Sequence, residues 1–347
     1  MLRISHFLNE SEDLVVRFWN ILMVTVLGCF ILQAQQYTIK FATVAPQGST
    51  WYNVMKEYDE AIRKESGGRM GFKIYPGGTS GEEKDVIRKM RVGQLHSAGF
   101  TGVGLGEIAP KVRVLDAPFL FKSYTEVDYV HELFNQEFAK AFEDGGYVNL
   151  GWTEVGFVYV FTKTPVKNAQ DLKGVKMWMW EGDPIAEAAF KSLNVSPIPL
   201  SLADVLTSLQ TGLIDGMYTS PLAAISLQWF TRVKYALELP LADSHGAVLI
   251  SKKMFDMLPQ DLQEILVRNG RIYLKKLTEL SRRDNQKSLE QLKKSGIIFL
   301  PPGTEKERAE YDQMGKTARQ SLVGKLYDQN FLDRIEKAVL EARKQSK

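Results

Sequence analysis

Short β-rich runs alternate with helical stretches along most of this chain. Residues 37–43 alternate between apolar and polar positions as a half-buried strand does, and residues 72–75 form a second such run. Between them, residues 51–65 carry apolar side chains at helical spacing. The same spacing predicts helices over residues 82–92, 123–142 and 183–193. Strands that alternate with helices in this way are typical of parallel sheets joined by crossover helices.

A longer helical pattern covers residues 259–294. Pro259 stands near its predicted start, where a missing backbone N–H is tolerated, and apolar residues recur along the whole stretch. Gly270 is expected to weaken its middle. The pattern predicts one long helix.

The first 34 residues have the character of an export signal. Arg3 and Arg17 precede an apolar run over residues 21–32, which is too short to favour a stable membrane span. Two endings of this segment stay open. Lipidation of Cys29 would make that residue the mature N-terminus, whereas ordinary signal peptidase would cleave after residues 32–34.

Composition and charge narrow the classes of function. A chain of 347 residues can bury a large core and usually divides into two lobes. The formal net charge of +3 is close to neutral, so neither a nucleic acid nor another polyanion is expected as a partner. Cys29 is the one cysteine, which leaves no intrachain disulfide and no cysteine-based metal site.

Signals of enzyme chemistry are weak. Gly102-x-Gly104-x-Gly106 follows a predicted strand but lacks the spacing of a phosphate loop, so a turn at a cleft is the better interpretation. The histidines lie far apart in sequence and show no metal-ligand spacing. No motif marks a catalytic nucleophile. We therefore expect a protein that is not an enzyme and that needs no cofactor and no metal.

Several segments together resemble one known family. They are TVAPQGS from Thr43, VLDAPFLF from Val114, DLKGVKMW from Asp171 and LQTGLIDG from Leu209. In this combination they resemble the DctP-type extracytoplasmic solute-binding receptors of tripartite ATP-independent periplasmic (TRAP) transporters. The similarity extends over most of the chain beyond the export segment.

The resemblance implies an α/β fold of the two-lobed periplasmic-binding-protein type. Each lobe would be a mostly parallel sheet flanked by helices, and the long helix would brace both lobes. We expect lobe I to comprise residues 37–157 and about 245–284, and lobe II to comprise residues 158–244 and about 285–347. The ligand cleft would lie between the lobes, and strands crossing between them would form the hinge.

The resemblance also implies partners and a location. The partners are a small-molecule ligand and the integral-membrane TRAP permease subunits, and an accessory envelope protein stays open. The location is periplasmic or extracytoplasmic, either soluble or lipid-anchored through Cys29. An alternative is an envelope scaffold or sensor that keeps the fold without transport.

Side chains in loops after the predicted strands suggest a candidate site. Trp152, Trp178, Trp180 and Tyr218 are expected to wall a cleft around an apolar ligand, because ligands of such proteins lie at the carboxyl ends of strands. For each aromatic taken alone, packing in a lobe core is the competing interpretation. A weaker alternative uses Glu154 and Asp183 to attract a cation, with cation–π support from the tryptophans.

The resemblance assigns further positions to the cleft. It places Trp178 where the family has a carboxylate-clamping arginine and Val158 where a second arginine is frequent. Thr219 or Ser220 falls at the family's asparagine. The resemblance also puts three residues near the ligand: Val44, Thr101 and Leu202.

These positions change the expected ligand. A bidentate arginine supplies charge and geometry that tryptophan cannot imitate, so a neutral, substantially apolar ligand is predicted instead of a simple carboxylate. Lys176, Arg113 or Lys111 would restore a positive charge by turning into the cleft. Each of these is expected on a solvated surface instead.

Overall fold

The computed structural model describes residues 37–345. The strands are β1 (Tyr37–Thr43), β2 (Met70–Tyr75), β3 (Ser97–Thr101), β4 (Tyr147–Thr162), β5 (Trp178–Trp180), β6 (Ile198–Leu200), β7 (Gly216–Thr219), β8 (Tyr235–Leu237), β9 (Ala242–Ser251) and β10 (Ile298–Leu300). The helices are α1 (Thr50–Glu65), α2 (Glu83–Arg91), α3 (Gly102–Ile108), α4 (Tyr124–Asp144), α5 (Pro184–Ser192), α6 (Val205–Thr211), α7 (Pro221–Ser226), α8 (Lys252–Asp256), α9 (Gln260–Lys294), α10 (Glu305–Ser321) and α11 (Gln329–Gln345). None of these helices is both long and apolar enough to span a membrane. The predicted export segment, with Cys29, lies outside the described residues.

Polar side chains fix the starts of the predicted helices. Ser49, Ser123 and Asp183 each accept a backbone hydrogen bond at the N-terminus of α1, α4 and α5. A capping side chain of this kind satisfies one of the backbone N–H groups that has no partner within the helix. The helix boundaries therefore fall within two residues of those predicted from the apolar spacing.

The first lobe contains a mostly parallel sheet in the order β2-β1-β3-β9-β4. β1 pairs in parallel with both β2 and β3. β9 runs antiparallel to β3 on one side and to β4 on the other. This arrangement confirms the expected parallel sheet and adds one antiparallel strand to it.

The second lobe contains the carboxyl end of β4 and the shorter strands. β4 pairs antiparallel with β7 and β8, and β8 pairs in parallel with β10. β5 and β6 form a parallel pair next to β7, which a bridge between Met177 and Gly216 connects to them. β4 and the start of β9 thus pass from one lobe into the other, and these two strands form the hinge.

Helix α9 braces both lobes. It packs against α1 and β4 on the first lobe and against α7 on the second. Gly270 lies buried at its closest approach to the sheet, where a Cβ atom would stand 2.5 Å from the carbonyl oxygen of Leu150 and 2.9 Å from the hydroxyl of Tyr58. The glycine expected to weaken the helix therefore permits its close packing.

The C-terminal helices divide between the lobes. α10 packs against α5 of the second lobe. α11 packs instead against α4, and its apolar side chains, among them Phe331 and Ile335, join the core of the first lobe. The assignment of residues 285–347 to lobe II therefore fails for α11, because its apolar stripe fits the exposed face of α4.

Candidate ligand-binding site

A cavity of about 230 Å³ lies between the two lobes. The first lobe contributes the loop after β1 and the start of α3, and the second contributes β5, β7, α5 and α7. All but two of the predicted site residues line it: Val44, Thr101, Val158, Trp178, Trp180, Leu202, Tyr218, Thr219 and Ser220. Apart from Val158, which lies within β4, these residues come from short strands, strand ends and helix starts, where the carboxyl edge of a parallel sheet places its loops.

Aromatic rings form the wall of the cavity on the second lobe. Trp178 stacks on Tyr218 with a centroid distance of 5.0 Å and meets Trp229 edge to face at 5.3 Å. Its indole N–H donates to the carbonyl of Leu200 at 3.1 Å, and only 2% of the residue is exposed. Trp178 is therefore both cavity wall and lobe core, so the two interpretations of this residue are compatible. Trp229, which also lines the cavity, was missed because it follows a helix instead of a strand.

Polar side chains in the cavity already have partners within the protein. The hydroxyl of Ser220 accepts from the backbone N–H of Ala223 at the start of α7. The hydroxyl of Thr101 donates to Glu83 at 3.0 Å. The hydroxyl hydrogen of Thr101 is therefore committed to Glu83, whereas Ser220 uses only an acceptor lone pair in its bond from Ala223.

The glycine-rich motif is the first part of helix α3 and not a turn. A Cβ atom on Gly102 would lie 1.9 Å from a carboxylate oxygen of Asp116, and one on Gly104 would lie 2.7 Å from a carboxylate oxygen of Glu83. Burial raises the pKa of Glu83 to about 7, although it accepts hydrogen bonds from the backbone of Thr101 and Gly104. The glycines make room for buried charged side chains and do not cradle a phosphate.

Arg113 is buried and lines the cavity, so its predicted place on a solvated surface was wrong. Its guanidinium lies 3.1 Å from Asp116 and 2.5 Å from Asp183, and these charges raise its pKa against the lowering effect of burial. Among the described residues that line the cavity, it is the one basic side chain. With two carboxylates already bound, it offers no uncompensated positive charge to an anionic ligand.

The two lysines considered with Arg113 lie elsewhere. Lys176 is bound to the carbonyl of Gly212 and lies 3.3 Å from Asp215, and Lys111 pairs with Glu137 at 3.0 Å. Neither lysine lines the cavity. Their expected place outside the cleft agrees with the structure.

Two predicted site residues lie outside the cavity. The ring of Trp152 packs against His131, Phe138 and Phe142 at centroid distances of 4.7, 5.7 and 5.4 Å. Glu154 is buried and accepts two hydrogen bonds from Arg282. The prediction failed because β4 does not end before these residues but continues as a 16-residue strand, which directs both side chains away from the cleft.

A buried polar cluster lies beside the cavity at the hinge. Glu154, Asp243 and His245 bring ligand atoms within 4.8 Å of one another, as a metal site would. Burial raises the pKa of Asp243 to about 8, whereas burial lowers that of His245 and the nearby Asp243 and Asp116 raise it to about 9. A metal needs a free lone pair on His245, whose pKa the nearby carboxylates raise, and Glu154 is already bound to Arg282, so these residues fit a buried proton-sharing polar network better than a metal site.

Several contacts connect the lobes across the cleft. Glu82, at the start of α2 in the first lobe, accepts from the indole N–H of Trp180 and from the backbone N–H of Leu202, both at 3.1 Å. Burial raises the pKa of Glu82 despite these two donors. Arg113 of the first lobe forms an ion pair with Asp183 of the second lobe. The two lobes are therefore closed on one another.

Two sheet-based lobes, a strand hinge and a cavity between the lobes define a solute-binding protein. Comparison with known proteins agrees with this class. The profile of the DctP family, described as bacterial extracellular solute-binding protein, family 7, matches residues 41–325. The chain therefore belongs to this family of TRAP-transporter receptors, whose members bind solutes for transport and are not enzymes.

Individual relatives are distant. A solute-binding protein of Verminephrobacter eiseniae is 28% identical over 271 residues, which cover 77% of this chain and 80% of that protein. The 2,3-diketo-L-gulonate-binding periplasmic protein YiaO of Escherichia coli is 25% identical over 82% of this chain and 87% of its own. The crystal structure of the sugar acid binding protein DctPAm of Advenella mimigardefordensis with galactonate aligns with a TM-score of 0.82 at 21% identity, over 88% of this chain and 98% of that one. This last similarity supports the fold.

Proposed function

We propose that this receptor captures a neutral, substantially apolar small molecule in the cavity between its lobes and delivers it to TRAP membrane subunits. The observation that carries the proposal is the aromatic wall at Trp178, the position at which the family resemblance expects a carboxylate-clamping arginine. Val158, at the second such position, also presents an apolar side chain to the cavity.

Electrostatics favour a neutral ligand. The charged residues that line the described cavity are Arg113 and the acids Asp116, Asp183 and Asp243. Arg113 is paired with two of these acids, so a carboxylate placed against Trp178 would be buried without a counter-charge. Such burial costs several kcal/mol, whereas an apolar ligand gains about 25 cal/mol for each Å² removed from water.

The ligands named for two relatives differ from the one proposed. YiaO is named for 2,3-diketo-L-gulonate, and DctPAm was crystallised with galactonate. Both ligands are acids with several oxygens. A distant relative can keep the fold while its site changes chemistry, because ligand specificity depends on side chains and not on the fold.

The transport mechanism is hinge closure. Ligand enters an open cleft, the second lobe closes over it through β4 and β9, and the closed form becomes the more populated state. The membrane subunits would then recognise this closed surface. We place the receptor outside the cytoplasmic membrane, either soluble or lipid-anchored through Cys29, and mass spectrometry of the mature N-terminus would distinguish these two forms.

Native mass spectrometry with organic extraction tests the ligand class. The full-length chain is expressed, and the processed receptor is purified from the cell envelope. No detergent or lipid that could displace a bound ligand is added during purification. A bound neutral apolar molecule supports the proposal. A bound small carboxylate contradicts it.

A further inference from the structure

Glu82 holds the two lobes together with a carboxylate that belongs to the protein. It caps α2 in the first lobe, and its two oxygens accept from different groups of the second lobe. One donor is the indole N–H of Trp180, and the other is the backbone N–H of Leu202 at the start of the turn that leads into α6. Both Trp180 and Leu202 line the cavity.

These donors have the character of an anion-binding site. An indole N–H and a backbone N–H at the beginning of a helical turn are both uncharged donors that suit a carboxylate. Each exists in the second lobe whether or not a ligand is present. The carboxylate of Glu82 occupies both donors, so in the closed form neither is open to a carboxylate of the ligand.

The position of Glu82 also affects which ligands enter. Its carboxylate is bound to two residues of a cavity whose described lining already holds three aspartates and one arginine. A second carboxylate brought there by a ligand would be repelled and would compete for the same donors. A neutral ligand would leave the contacts between Glu82 and the second lobe intact.

We propose that Glu82 is a specificity-determining residue that takes the place of an anionic ligand group, tying the lobes together and excluding carboxylate ligands. This inference rests on the proposed neutral ligand but concerns a different residue and a different contact. In this proposal the carboxylate of Glu82 supplies the polar contacts that close the lobes. The ligand stabilises the closed form by filling the apolar cavity.

Competition between a matched alcohol and acid tests the specificity. The neutral fluorescent probe N-phenyl-1-naphthylamine is bound to the processed full-chain protein, then displaced by 1-decanol or by decanoate at pH 8. Wild-type protein is expected to prefer the alcohol. In Glu82→Gln this preference should shrink by about tenfold, since the repulsion and the competing charge are removed. Glu60→Gln, an exposed substitution on α1 of the same lobe, should leave it unchanged.

Hydrogen exchange tests the contacts of Glu82 with Trp180 and Leu202 directly and needs no ligand. In wild-type protein the Leu202 amide and the Trp180 indole N–H are expected to exchange slowly, and in Glu82→Gln both should exchange several times faster. Trp180→Phe provides a second variant, which keeps an aromatic wall and removes one donor. It should accelerate exchange at Leu202 alone.

The outcomes separate this inference from the function on which it rests. If the probe binds and the alcohol is preferred, but Glu82→Gln changes neither preference nor exchange, Glu82 has no such role and the neutral ligand stands. If wild-type protein prefers decanoate, both are overturned. If the probe does not bind, the apolar ligand is refuted, and the exchange measurement still decides whether Glu82 ties the lobes.

Discussion

Replacing Trp178 with arginine should destabilise this receptor and make its stability depend on a carboxylate. Trp178 is 2% exposed, stacks on Tyr218 and donates to the Leu200 carbonyl. Loss of a buried tryptophan costs about 3–5 kcal/mol, and a buried unpaired charge costs a similar amount, part of which the long arginine stem offsets. We expect a net loss of about 4 kcal/mol, or about 6 °C in the melting temperature of a chain of this size.

Thermal unfolding with and without galactonate measures both effects. A carboxylate that pairs with the new guanidinium should restore about 2.7 kcal/mol at a concentration of 100 times its Kd, whereas wild-type protein should gain nothing. Trp178→Phe is the matched control: it keeps a ring against Tyr218, loses the bond to Leu200, and should cost about 1–2 kcal/mol with no response to galactonate. An unchanged melting temperature for Trp178→Arg would refute the packed aromatic wall. Stabilisation of wild-type protein by galactonate would refute the neutral site.

Three further substitutions test the buried groups. Burial raises the folded-state pKa of Glu83 from 4.5 to about 7. The contribution of Glu83 to the free energy of unfolding is therefore full below pH 4.5 and is lost as the pH rises through about 7. In denaturation measured as a function of pH, Glu83→Gln should remove about 3 kcal/mol of this loss. The control Glu60→Gln should lose stability with rising pH as wild-type protein does. If the stability of Glu83→Gln falls with pH as steeply as that of wild type, the raised pKa of Glu83 is contradicted. Gly270→Ala should cost about 2–3 kcal/mol in urea unfolding, because its Cβ would stand 2.5 Å from the Leu150 carbonyl, whereas the exposed Lys275→Ala should be neutral. Equal midpoints for these two variants would refute the close packing. In Asp243→Asn, the pKa of His245 in an NMR titration should fall from about 9, since burial lowers it and the main opposing charge is gone; a value that stays near 9 would show that Asp243 does not set it.

The hydrophobic pattern predicted most of the fold because local spacing and caps determine where helices begin. Helix α1 and strand β1 follow directly from their apolar positions. The placement of α11 did not follow, since the partner of an amphipathic helix depends on contacts far away in sequence. The pattern defines an apolar face but does not name the surface that covers it.

The candidate site shows the same division. Trp178, Trp180 and Tyr218 could be predicted because aromatic residues at strand ends face the cleft of a two-lobed protein. Glu82 could not, since its partners Trp180 and Leu202 lie 98 and 120 residues away and meet it only when the lobes close.

Arg113 was also misplaced by sequence reasoning. An arginine is usually solvated, and its burial here depends on Asp116 and Asp183 together with the small residues of α3. Its sequence signal was the pair Gly102 and Gly106, which lie four residues apart on one face of α3, where Cβ atoms would meet the Arg113 side chain. With no side chains to fill that helix face, a neighbouring large or charged residue has room to be buried.

Calorimetric titration of the processed, ligand-free receptor tests the central claim most directly. The bound material is removed by unfolding and refolding, and the protein is then titrated in parallel with 1-decanol and with galactonate. The proposed aromatic site predicts saturable binding of 1-decanol with a negative heat-capacity change, because apolar surface is buried. It also predicts no binding of galactonate at millimolar concentration. Saturable binding of galactonate with no heat from 1-decanol would contradict the claim that this receptor takes a neutral, apolar ligand.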